Sequence, residues 1–75
     1  MTVDEFCRYK TQALQLCIIR DSGWIVEAVW IDHEDIFRMS DRSGKAEVKK
    51  TEFGELPIMT EHGDMIHVPC LYIDT

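Results

Sequence analysis

The sequence predicts an α+β fold: a small antiparallel sheet of about three to five strands with one or two short helices, forming a single domain over residues 1–75. Three observations predict it. A capping-box pattern opens a helical stretch at the N-terminus. Two strongly apolar runs flank an Asp21-Ser22-Gly23 turn. The C-terminal third alternates in the manner of strands between glycine-bearing breaks. A chain of 75 residues holds one hydrophobic core and not two, and it must bury a large share of its 45% hydrophobic residues or share them with a partner.

The first element is a helix over residues 3–11. Thr2 stands at the cap position with Glu5 three residues on, and Asp4 suits the positive helix end. Val3, Phe6, Cys7 and Lys10 mark one face. A strand over 14–20 follows, with Leu14, Leu16 and Ile18 on one side and Cys17 and Ile19 on the other. Asp21-Ser22-Gly23 turns the chain into a second strand, Trp24–Ile31. Strict alternation places Trp24, Val26, Ala28 and Trp30 together, opposite Ile25, Val29 and Ile31. A strand apolar on both sides is either central and covered twice, or covered once and offering its other face to a partner.

Asp32 caps an expected short helix over 33–39, and Ser40–Gly44 has loop composition. Ala46–Phe53 is weakly alternating. Pro57 confines residues 56–59 to an edge strand or extended loop. Glu61–Asp64 is a turn, and Met65–Ile73 a strand with Ile66, Val68, Cys70 and Tyr72 on one side. Its Pro69 calls for an edge or a bulge. A hairpin of 56–60 with 65–70 is expected.

The formal net charge is −6. Residues 1–40 and 41–75 each carry 7 acids and 4 bases, so the charge is spread and not held in a tail. It opposes direct binding to nucleic acid, which needs cationic side chains to displace counterions, and binding to anionic membrane surfaces. No run is long and apolar enough for a transmembrane helix, and acids near the N-terminus argue against an export signal. Three cysteines, Cys7, Cys17 and Cys70, cannot all pair within the chain. Reduced, buried thiols and a cytoplasmic location are the expectation.

No pattern of catalytic or cofactor-binding residues emerges. His62, His67 and Cys70 lack the paired short spacings of zinc sites, and on a strand His67 and Cys70 face opposite ways. Cys7 near a helix start is the best thiolate candidate, yet Asp4 and Glu5 oppose it. The acids Asp32, Glu34 and Asp35 form the densest carboxylate cluster, which is most simply a dipole-matching helix cap. The four glycines are isolated and make no phosphate loop. The expectation is a chain that is not an enzyme and binds neither metal nor cofactor.

By elimination, the sequence reads as a small acidic adaptor, inhibitor or regulatory protein acting through a protein–protein interface. The candidate contact residues are Trp24, Trp30, Asp32, Glu34 and Asp35. Tryptophan dominates both small cores and interface hot spots, and the core is the more frequent place. The expected partner is another protein, and a basic surface on it is compatible with the net charge. A homodimer pairing the runs 56–60 and 65–73 is an alternative. A nucleic-acid mimic presenting Glu27, Asp32, Glu34, Asp35, Glu52 and Glu55 to a basic groove is another.

Overall fold

A computed structural model describes residues 1–11, 14–31 and 39–75. Helix α1 (Val3–Tyr9) leads into strands β1 (Gln15–Asp21) and β2 (Trp24–Ile31). Helix α2 (Asp41–Lys45) and strands β3 (Lys50–Met59) and β4 (Met65–Asp74) follow. The domain is thus a small α+β unit of four strands and two helices among the described residues. The sheet runs β2-β1-β4-β3. Both hairpins are antiparallel, as expected, but β1 and β4 pair in parallel over Cys17–Arg20 and Leu71–Asp74. The sheet is therefore mixed. A parallel neighbour is joined through a long connection, which local hairpin signals do not reveal.

The local signals explain most elements. The Thr2 hydroxyl oxygen accepts the Glu5 N–H at 3.2 Å, and the Glu5 carboxylate accepts the Thr2 N–H at 3.0 Å, which completes the capping box of α1. Ser22 (φ 53°) and Gly23 (φ 85°) form a two-residue turn of left-handed residues, whose twist suits the β1–β2 hairpin. Pro57 lies within β3, which is an edge strand. Pro69 precedes the β1–β4 pairing, which begins at Leu71, so its missing N–H costs that ladder nothing.

One sequence expectation lies outside the described residues and another changes. The expected helix over 33–39 falls almost wholly outside the described residues. Ser40–Gly44, read as a loop, instead starts the single-turn helix α2, capped by the Ser40 hydroxyl accepting the Ser43 N–H at 3.2 Å. A distant residue secures this turn. The Glu27 carboxylate on β2 accepts the Ser40 hydroxyl at 2.7 Å, the Ser40 N–H at 3.0 Å and the Ser43 hydroxyl at 3.0 Å. Burial works against the charged carboxylate, but these donors together outweigh it and hold the group below its ordinary value of 4.5. The depressed value means that Glu27 contributes stability above that ordinary value and loses it as pH falls through the lowered one. Glu27→Ala is expected to cost about 1–2 kcal/mol at neutral pH. Urea denaturation should show that the gap between variant and parent shrinks at acid pH.

The sheet separates two clusters. On the helix-bearing face, Val3 and Cys7 of α1 pack against Cys17, Ile19, Val29, Ile31, Leu71 and Ile73, with Phe6, Met39, Ala46 and Val48 at the margin. On the opposite face lie Leu16, Ile18 and Cys70, with Leu56, Val68 and Tyr72 against them. The division of β4 into Val68, Cys70 and Tyr72 against Leu71 and Ile73 matches the alternation in the sequence.

Tyr72 organises the second face. Its hydroxyl donates to the Glu55 carbonyl at 3.0 Å, and its ring lies over Gly54, where a Cβ would meet Cε2 at 2.9 Å. The Arg20 guanidinium sits 4.3 Å from the ring centroid. It also donates to Asp74 in two bonds of 2.6 and 3.1 Å and to Glu52 at 2.8 Å, tying β1, β4 and β3 together at one end. Gly54→Ala forces the ring away and is expected to cost about 1–3 kcal/mol. A fall in melting temperature, with loss of the Tyr72 ring-current shifts, checks it.

Candidate protein-interaction surface

Helices cover the β2–β1 part of one side of the sheet and leave Phe53, Met59 and Met65 exposed on it, and among the described residues no helix packs on the other. The strand registers define what that other face presents. Trp30 pairs with Leu16, Ala28 with Ile18, and Ile18 in turn with Tyr72. Farther along, Leu56 pairs with Val68 and Ile58 with Ile66. The charged side chains on this face gather at the Arg20–Asp74–Glu52 end, where Lys50 also pairs with Asp74. The rest is apolar.

Burial grades across this face. Leu16, Ile18 and Cys70 are buried, with Leu56, Val68 and Tyr72 packed against them. Trp30 is 57% exposed, Ile25 53%, Ile66 46% and Ile58 40%. Ile25 pairs with Arg20 at the charged end and Ile58 with Ile66 out along the hairpin, so these are separate exposed apolar groups that share one face with Trp30. The β3–β4 hairpin extends the face, because β4 pairs with β1 only from Leu71 onward.

Strand β2 is the element most at odds with a buried role. Val29 and Ile31 are buried against the helix-side core, while Trp24, Ile25, Val26, Ala28 and Trp30 are exposed. Of the two options left open by its doubly apolar sequence, it is the strand covered once. Both tryptophans are at the surface, Trp24 78% exposed, which corrects the expectation that favoured the core. The two rings also do not share a side. The register shifts between Ile19 and Arg20, so that Ile25 pairs with Arg20 and Trp24 with Asp21. One extra residue on β2 near Val26 moves Trp24 to the helix-bearing side and leaves Trp30 on the open one. A bulge has no signature in an apolar run, so alternation alone could not locate it.

The other predicted residues separate. Asp32, Glu34 and Asp35 lie outside the described residues. Among the proposed mimic acids, Glu27 is held by α2, and Glu52 is paired with Arg20 and lies 3.9 Å from Lys50. His62 stands exposed in the β3–β4 turn. His67 pairs with Pro57 on the side opposite the buried Cys70. Among the described residues, no group of three or more His, Cys, Asp or Glu side chains is placed to hold a metal ion. All three cysteines are free and buried. The hydrogen bond of Cys7 with Cys17, together with burial, pushes the Cys7 thiol well above its ordinary range, away from a reactive thiolate. Among the described residues, no helix is long and apolar enough to cross a membrane.

The open face, with Ile58 and Ile66 extending it along the hairpin, was not legible beforehand. Its signal is present as cross-strand apolar pairs, but it is readable only once the parallel β1–β4 register is known. Comparison with protein-family models, with curated proteins and with solved structures finds no significant match. The functional reading therefore rests on this geometry.

Proposed function

We propose that this domain is a protein-binding module, an adaptor, inhibitor or regulatory subunit acting in the cytoplasm, whose contact surface is the open sheet face centred on Trp30. The observation that carries this reading is a tryptophan more than half exposed on a sheet face that no described helix covers. Aromatic anchors of this kind dominate binding energy where a partner excludes water from them. Three unpaired buried thiols suit a reducing compartment. The net charge of −6 favours a partner with basic groups around an apolar contact. Nucleic-acid mimicry draws less support, because two of its candidate acids are engaged within the chain.

Affinity capture from the source cells tests the reading, using the parent chain beside Trp30→Ala and Tyr9→Ala. Tyr9 is an exposed aromatic residue on α1, away from the open face. A partner retained by the parent and by Tyr9→Ala, and lost by Trp30→Ala, supports the assignment. Equal capture by all three contradicts it.

A further inference from the structure

The two outer strands of the sheet, neither of which pairs with a further strand among the described residues, differ in how they guard their outer edges. Strand β3 carries Lys50, Glu52, Glu55 and Pro57, which are charges and a missing donor of the kind that blunts edge-to-edge pairing. Strand β2 carries no proline and no lysine. Its single charge, Glu27, is turned inward onto Ser40 and Ser43. The bulge near Val26 protects the start of β2 but leaves Glu27–Ile31 in regular register with β1.

We propose that β2 pairs antiparallel with β2 of a second copy of this chain, about a two-fold axis through Val29. This register sets Trp30 of each copy against Ala28 of the other, large against small on the open face. It sets Ile31 against Glu27 on the helix side. An axis through Glu27 would oppose two carboxylates, and one through Ala28 would oppose Trp30 to the bulged Val26. Of these three registers, the Val29 one avoids both conflicts, and like any two-fold contact it uses the same strand of each copy. The two sheets become one of eight strands, and the two open faces point the same way to form one platform. The pairing uses the edge of β2 and not its face, so it stands whether or not the face binds another protein.

A contact of about five residues per strand lies below roughly 1,200 Å² in total, in the class of transient interfaces. The dimer is therefore a weak one that reverses on dilution. Each copy carries −6, so added salt strengthens it, whereas salt weakens binding to a cationic partner.

Sedimentation velocity from about 1 to 500 μM, at about 0.05 M and 0.5 M salt, tests this. The expected result is a monomer–dimer equilibrium that tightens with salt. It should weaken at least about tenfold in Ala28→Glu, which sets a carboxylate against Trp30 of the second copy, and hold unchanged in Glu55→Lys on β3. Should Ala28→Glu fail to fold by circular dichroism, Trp30→Ser reads the same contact. A monomer throughout, a dimer that loosens with salt, or one indifferent to the β2 variants overturns the proposal.

Discussion

Ile19→Ala is expected to remove a large part of the stability of this domain. Ile19 is fully buried on β1, between Glu27 of β2 and Ile73 of β4, in the cluster that joins the sheet to α1. Deleting its outer carbons loses transfer free energy and leaves a cavity that the surrounding strands cannot collapse into, at a cost of about 2–5 kcal/mol. A chain of this length has a total stability on the order of 4–11 kcal/mol. The variant should therefore unfold at much lower urea, and in the worst case populate the unfolded state without denaturant. Ile25→Ala is the matched control. Ile25 removes the same atoms from the next strand, but it is more than half exposed, and about 1 kcal/mol or less is expected. Equal costs for the two would mean that the open face is covered in solution, contrary to the arrangement described.

The second large effect is on binding. Trp30→Ala should weaken association with the partner at least about 30-fold, since a central aromatic anchor contributes about 2 kcal/mol or more. Its effect on stability should stay near 1 kcal/mol, because the side chain is more than half exposed. Trp24→Ala should weaken binding much less. Trp24 sits beside the β1–β2 turn on the other side of the sheet. Titration calorimetry with the captured partner, alongside thermal melts of each variant, separates the two quantities. A Trp30 variant that loses binding only in proportion to its folded fraction would reassign the ring to structure.

These contrasts show where the sequence was informative. Thr2 and Glu5 specify a helix start because both partners of the box lie within one turn. Ser22-Gly23 specifies a hairpin because positive φ is demanded locally. The alternation of β4 sorts its faces correctly because that strand is regular over its length. What escaped depends on distant residues. The turn α2 reads as loop because Ser and Gly are poor helix formers, and its support comes from Glu27 on β2. The parallel β1–β4 pairing depends on residues some fifty positions apart. The separation of Trp24 from Trp30 depends on one bulged residue. The candidate surface was half visible. Trp30 was singled out and the doubly apolar β2 recognised, but Ile58 and Ile66 join that surface only through the completed sheet.

On the proposed function, the face around Trp30 meets another protein. A photoreactive phenylalanine analogue placed at position 30, and for comparison at position 9 on α1, tests it most directly when irradiated in the source cells. The account predicts a discrete adduct with one heterologous protein from position 30 and none of that protein from position 9. No heterologous adduct from position 30, or the same adducts from both positions, would contradict it.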